Sequence, residues 1–582
     1  MLSAIALVLL MGLVAGLPSL WTRDLWHDDE IRLTEGAREL LQSRGGLLPC
    51  VNGEIDFTAP PLPYWATSLL WEAGAGVASA RVLSVLSVVG ILLVCFAATV
   101  RSGSIARGVM AAAIALTTVV LFWHVRKGGA GPFWASLLTC ALLAGYQALA
   151  CKARRGAAWW VACYASAALA VLAVGVSAAL LAAFVLAVYC LAARKQPVKS
   201  VVPHLLGIAV FAGVIALWVA AVYHTVPGRG ITLRPLTGDL AGLGESLREG
   251  NLLKAILATA AALFPWIVIV PGAIAAAVRN RPDHGTSLPL FSTIWLGALA
   301  VPAVLGGREG APDYALAMVA PLAMLCAGAL VPDGLRSRCP SVARRWLFRG
   351  ALGIVGGFTG LLLLAGLLDL AGVSYLFVGK RHVCPVTDQP YSPYALAAIV
   401  PFVAASFGAV VAAFRTPVGR PDRRAWLLIL AVFLLGIPAD LFLTPFVNAF
   451  RSARPFAEKV LQHVQPEDAL YLYGKDYDGL YNLYTGYTHM PVIQTASELR
   501  ELMMQRGTFV IADEKRLKKA MDRSEWRSRV VAEGTAGNRR MVLLKGASPT
   551  ISVSRAARPL PSSGVHPGTA QSSAGGSLSS GC

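Results

Sequence analysis

Long apolar runs, following one another through the first three quarters of the chain, constrain this protein more than any single motif in it. Leu2–Trp21, Ala80–Val100, Ile105–Trp123, Trp159–Val174 and Leu205–Val222 open the series. Several reach the roughly 20 residues that a helix needs to cross a hydrocarbon core. Further runs lie near Leu288–Leu305, Tyr314–Val331, Gly350–Ala371, Tyr394–Phe414 and Ala425–Phe446. The expectation is an all-α polytopic membrane protein with about thirteen transmembrane helices. Composition agrees, with 56% of residues apolar and 14% charged, where a soluble domain carries about 25% charged. The first run lacks the basic n-region of a cleavable leader, and the runs behind it hold the chain in the membrane regardless.

The net charge of +19 invites a nucleic-acid reading until its distribution is followed. Alternate connectors are basic: Arg101 and Arg107; Lys152, Arg154 and Arg155; Arg194, Lys195 and Lys199; Arg279 and Arg281; Arg336 to Arg349; and Arg415 to Arg424. The connectors between them hold most of the loop acids, above all Asp24, Asp28, Asp29, Glu30, Glu35, Glu39, Glu54 and Asp56. This alternation is the positive-inside signature. It places the N-terminus in the cytoplasm and the acidic first loop outside, and it leaves no nucleic acid among the partners. The basic excess reports topology and contact with the inner leaflet.

Residues 1–446 read as the transmembrane domain, with an outer first loop at 23–64. Within that loop Asp29–Ser43 reads as an amphipathic helix along the membrane face, with Ile31, Leu33, Leu40 and Leu41 as apolar points. Phe264-Pro265-Trp266 predicts a kink, since proline breaks the backbone ladder of a spanning helix. Residues 447–546 change character: Ala469–Tyr473, Thr508–Ala512 and Met541–Leu544 read as strands and Ala496–Gln505 as helix, a small extracytoplasmic α/β domain. Residues 547–582, rich in Ser, Gly, Pro and Ala, read as a disordered tail. The ten cysteines show no CxxC or Cys/His metal spacing. Cys50 and Cys384 fall in outer loops, and no disulfide between them is expected.

The densest polar cluster is Leu25-Trp26-His27-Asp28-Asp29-Glu30, just beyond the first run. A hydrated loop cap is the plainer reading; a general base or a cation site is the functional one. His27 with adjacent carboxylates is not a defined ligand set, so no metal ligand is assigned. His124 and His204 read as interfacial. No Walker loop, Rossmann fingerprint or Ser/His/Asp signature stands out.

The segment LWHDDEIRLTEGARELL, Leu25–Leu41, resembles the first-loop motif of the GT-C membrane glycosyltransferases. Within them it is most similar to the protein O-mannosyltransferase-like group that includes the lipid A aminoarabinose transferases. Phe57-Thr-Ala-Pro-Pro-Leu-Pro-Tyr-Trp65 stands where that group has a Lys-Pro-Pro-like element ending in Tyr-Trp. Ala80-Arg81-Val82-Leu83-Ser84 matches the arginine that opens helix two, and Phe264-Pro265-Trp266, YALAMVAPLAM at Tyr314–Met324 and LYLYGKDYDGLYNLYTG at Leu470–Gly486 also look like family elements.

The resemblance implies an integral membrane glycosyltransferase. It would move a sugar from a polyprenyl-phosphate donor to a lipid, glycan or protein hydroxyl at the outer face of a bacterial inner membrane. It implies Asp29 as catalytic base and Glu30 as a residue that orients the loop by pairing with Arg32 or Arg81. Arg81, Arg229, Arg234 and Arg308 become candidates for the donor phosphate, since arginine's fork suits phosphate, and Arg32 and Tyr64 of the first loop are further substrate-binding candidates. No cofactor is assigned, with a divalent cation left open. Three positions depart from the pattern: Ala59 replaces the lysine before Pro-Pro, Gly131 stands at a second acidic position, and Val174-Gly175 replaces a Lys-Gly. Lys127, or Arg126 beside it, is the candidate substitute as phosphate partner. These departures carry the alternative, a non-catalytic relative that binds lipid-linked glycan or scaffolds envelope assembly. A secondary transporter is the third reading; the crowding of polar groups in outer loops speaks against it.

Overall fold

The computed structural model describes residues 1–42, 47–56, 60–151, 153–194, 201–225, 252–279, 286–305, 307–331, 341–370, 393–417, 420–465, 467–537 and 539–546. The expectations for Arg229, Arg234, Ala59, Cys384 and the tail at 547–582 lie outside the described residues. The chain divides into two compact units, one of Met1–Val51 and Asp56–Ser452, the other of Asn52–Ile55 and Ala453 onward.

The first unit is a bundle of apolar helices, and the protein is an integral multi-pass membrane protein. Among the described residues nine helices are long and apolar enough to cross a bilayer, and the bent pair Leu252–Ala262 and Trp266–Arg279 makes up to ten. Leu2–Pro18, Ile105–Leu116 and Ser177–Ala192 are shorter apolar helices. Helix α1 (Leu2–Thr22) leads into α2 (Asp28–Gln42), followed by α3 (Leu62–Leu70) and α4 (Ser79–Ser102). Then come α5 (Ile105–Leu116), α6 (Val119–His124) and α7 (Gly131–Ala150). The helix Gly307–Leu330 runs through the middle of this unit: Ala315, Ala317, Val319, Leu322 and Ala323 are fully buried.

The sequence predicts one run over Ile105–Trp123; the structure breaks it at Thr117-Thr118. The cause is a set of hydrogen bonds that compete with the helix ladder. The Thr117 hydroxyl donates back to the Ala113 carbonyl at 2.7 Å and accepts from the buried indole N–H of Trp266 at 3.1 Å. The Val119 N–H donates to the Phe264 carbonyl at 3.0 Å instead of to its own helix. At Phe264-Pro265-Trp266 the expected kink is a 98° bend between Leu252–Ala262 and Trp266–Arg279. The last helix of the bundle, Pro421–Arg451, continues past residue 446. Amphipathic α2 starts one residue before the expected Asp29 and ends at Gln42.

The second unit holds a five-stranded sheet in the order Val492–Ile493, Ala469–Tyr473, Thr508–Asp513, Arg539–Lys545, Val530–Ala536. The first three strands are parallel, and the last two pair antiparallel. All six residues of the central Thr508–Asp513 are buried, as expected for a strand covered on both faces. Asn52 is bonded within this unit: its Oδ1 accepts from Met490 N at 2.7 Å and from Asn482 Nδ2 at 2.8 Å.

Replacing Thr117 with valine keeps the volume and removes the acceptor for a fully buried indole N–H. The expected cost is about 1–3 kcal/mol, read as a lowered unfolding temperature of the detergent-solubilised protein, with Thr117→Ser close to wild type.

Candidate active site

The polar residues that follow α1 build a site from the inside outward. Glu30, in the first turn of α2, is fully buried and lies 3.1 Å from Arg81 Nε and 3.7 Å from Arg23 Nη2. Arg81 opens α4 and also donates to the carbonyls of Leu20 and Arg23 at the end of α1. Arg23 donates to the Arg126 carbonyl at 3.1 Å and stacks over Trp26 at 4.4 Å. One carboxylate therefore joins the end of α1, the start of α2, the start of α4 and the loop after α6. Burial raises the Glu30 pKa, and the two guanidinium groups pull the other way.

The loop Lys127–Ala130 runs against this pair. A Cβ added at Gly128 would stand 2.9 Å from Glu30 Cγ and 3.1 Å from the Cβ of Ala80. Only glycine lets the backbone approach this closely. With the loop held there, Lys127 Nζ lies 2.7 Å from Asp29 Oδ2. The Asp29 side chain is 64% exposed, whereas that of Lys127 is 15% exposed. Successive helical residues point about 100° apart, so Glu30 faces the protein while Asp29 faces outward. Burial pushes the Asp29 pKa up, but the Lys127 charge and hydrogen bond outweigh it, and the net shift is downward. Asp29 is thus an accessible carboxylate in its ionised form, as a proton acceptor must be. Burial, with Lys127 and Arg23 nearby, brings His27 down to about 3. It is therefore neutral near pH 7, and its ring meets Trp123 edge-on at 5.9 Å.

A second carboxylate faces the same loop. Asp313 Oδ1 lies 3.6 Å from the point where a Cβ on Gly131 would stand, and the charges of Asp29 and Lys127 both act on it. Sequence reading missed Asp313 because it sits one residue ahead of the apolar segment Tyr314–Met324. Behind the site, Arg126 pairs with Asp440 and lies over the Phe122 ring at 3.7 Å. Asn448 accepts from Trp26 Nε1 and from Asp24 N, each at 3.0 Å, and donates to the Thr22 carbonyl at 2.8 Å. Asp440 was the legible one of these, since an acid inside an apolar run marks a site by default.

The remaining candidates form a separate group. Asp56 Oδ2 accepts from Arg32 Nε at 2.8 Å and from the Tyr64 hydroxyl at 2.9 Å. The structure therefore brings Arg32 and Tyr64 together on Asp56, Arg81 with Glu30, and Lys127 with Asp29. Of the two partners expected for Glu30, it is Arg81 that pairs with it. The backbone of Arg308 lies in the helix Gly307–Leu330, while its side chain lies outside the described residues. Among the described residues no group of three His, Cys, Asp or Glu side chains is arranged to hold a metal ion.

Removing Glu30 takes away the carboxylate that faces two buried guanidinium groups. Glu30→Ala is expected to lower stability by about 3–5 kcal/mol. The double variant Glu30→Ala/Arg81→Ala should lose less than the sum of the single changes, measured by thermal unfolding in detergent.

No family model matches the chain, and no curated protein does. Among solved structures, ArnT from Cupriavidus metallidurans bound to undecaprenyl phosphate matches with a TM-score of 0.68 at 19% identity. ArnT from the same organism in the apo state matches with a TM-score of 0.68 at 20% identity. Each match covers 93% of this chain and 97% of ArnT. The chain has the GT-C fold: a polytopic helical membrane domain followed by a small α/β unit.

Proposed function

We propose that this chain is a membrane glycosyltransferase that transfers a sugar from a polyprenyl-phosphate donor to a hydroxyl at the outer face of a bacterial inner membrane. Asp29 is the base. The observation that carries the reading is the exposed Asp29 carboxylate held 2.7 Å from Lys127, on a fold shared with ArnT, which was crystallised with undecaprenyl phosphate. A lysine ammonium has three donors, so Lys127 can hold the carboxylate and a donor phosphate together. That brings the base to the anomeric carbon, whose phosphate lies at headgroup depth.

In the transfer, the acceptor oxygen forms a bond to the anomeric carbon as the bond to the phosphate oxygen breaks. The electron pair leaves with the lipid phosphate, the hydroxyl proton passes to Asp29, and the configuration inverts. Charge grows on the phosphate as it leaves, drawing Lys127 away from the carboxylate. Asp29 becomes more basic as the proton arrives. Asp313 supplies a second carboxylate from the helix Gly307–Leu330 where Gly131 has none, and it orients the acceptor hydroxyl. Glu30 and Arg81 hold the geometry and do not touch substrate.

The alternative, a lipid-glycan binder without catalysis, draws support from the commitment of Arg81 to Glu30 and Arg32 to Asp56 and from Ala59. Transfer from radiolabelled polyprenyl-phosphate sugars to envelope acceptors separates the two. The glycosyltransferase reading expects transfer by wild type and about a hundredfold loss or more in Asp29→Asn. Donor bound without transfer in wild type would establish the binder. The sugar and the acceptor would be named by the same assay.

Lys127 holds the Asp29 pKa down, so Lys127→Met lets it rise. The acidic limb of the pH–rate profile should therefore move to higher pH, and donor affinity should fall. An unmoved limb and unchanged donor affinity would remove Lys127 from the mechanism.

A further inference from the structure

A cavity of about 400 Å³ lies at the other end of α4 from the Glu30–Arg81 pair. Arg81 and Arg101 stand near the two ends of that helix, about 30 Å apart at 1.5 Å per residue. That separation matches the thickness of a hydrocarbon core, so the cavity sits at the headgroup level of the opposite leaflet. Four stretches meet there: the α4–α5 turn with Arg101 and Arg107, the end of α7 with Gln147, the residues Thr286 and Ser287, and the helix Gly307–Leu330 at Gly328. Each leads into one of the basic connectors whose alternation marks the cytoplasmic side.

The chemistry of the walls is one-sided. Among the described residues two arginines, several hydroxyls and an amide line the cavity, and no carboxylate does. Arg107 is held in place, its Nε and Nη2 donating to the Val331 carbonyl at 3.0 and 2.9 Å. It crosses the turn at Gly103, where a Cβ would stand 2.5 Å from Nη1. Arg101 lies over the Trp159 ring at 5.6 Å, and its side chain is exposed. Leu288, Pro289 and Met324 make the lipid-depth wall, and Ile105, between the two arginines in sequence, is 43% exposed. Cationic donors above an apolar wall at this depth match a phosphodiester carried on acyl chains, and basic pockets between spanning helices on this side bind such headgroups.

We propose that this cavity holds the phosphate headgroup of an anionic phospholipid from the cytoplasmic leaflet, at a site separate from Asp29. A free phosphate ester has the same charge and no tails, so the test separates the two sources. Full-length protein in neutral detergent is titrated with phosphatidylglycerol, with phosphatidylcholine and with glycerol 3-phosphate, and bound lipid is counted by native mass spectrometry. The expectation is one tightly held phosphatidylglycerol, weakened about tenfold in Arg101→Ala, a change of about 1.4 kcal/mol. Gly328→Phe should weaken it as much by filling the cavity, since a Cβ at Gly328 meets no atom within 4 Å and the fold has room for it. Arg155→Ala, in a neighbouring basic connector, should leave it unchanged. Equal binding of phosphatidylcholine, or wild-type binding in both cavity variants, would overturn the proposal. Glycerol 3-phosphate binding as tightly as the lipid would reassign the cavity to a soluble phosphate ester. An Arg155→Ala loss matching that of Arg101→Ala would reduce it to a diffuse basic surface.

Discussion

The buried contact of Glu30 with Arg81 and Arg23 is what the rest of the site rests on. A carboxylate with no exposure is costly unless cations and donors surround it. Here those cations come from segments that are far apart in the chain. Arg81 binds the carbonyls at the end of α1 as well as Glu30, and Arg23 reaches the carbonyl of Arg126. A helix that carries three acids in its first turn is thereby fixed in rotation. With Glu30 turned inward, Asp29 is turned outward. The favourable field of the helix N-terminus suits carboxylates in this turn.

Around that contact the protein separates charge by function. Asp29 and Lys127 are paired at an accessible position. Glu30 and Arg81 are paired where solvent does not enter. Asp56, with Arg32 and Tyr64, does for the first loop what Glu30 does for the helix ends. The second acid, Asp313, comes from a helix whose next residues are all apolar. Gly128 leaves room for the carboxylate of Glu30, and Gly131 leaves room for Leu316, on the same helix as Asp313. Burial rather than residue type distinguishes these three ion-pair groups.

The same competition between local and tertiary hydrogen bonds shapes the bundle. The run from Ile105 reads as one apolar span because its composition is uniform. Thr117 and Trp266 interrupt it by bonding to each other, and Val119 gives its N–H to Phe264. The resulting short α6 delivers Arg126 and Lys127 to the site. Without the break, a straight helix would carry both away from α2. Hydropathy records how apolar a segment is but not where its threonines and tryptophans find partners.

By itself the sequence determined the membrane class, the helical architecture, the α/β character of residues beyond the bundle and the first-loop acids as the centre of interest. These follow from local properties: the length of apolar runs, the alternation of basic connectors and the period of hydrophobic residues. The motif in Leu25–Leu41 singled out Asp29 and Glu30 together. Only the tertiary structure decided which carboxylate faces outward, because that depends on Arg81 and Arg23 closing on one of them. It also decided that Lys127 is the partner of Asp29, that Arg32 belongs to Asp56, and that Asp313 enters the site from a distant helix. Those pairings join residues tens to hundreds of positions apart. Their energy comes from burial and from close approach at glycines, neither of which is written in any local window of the chain.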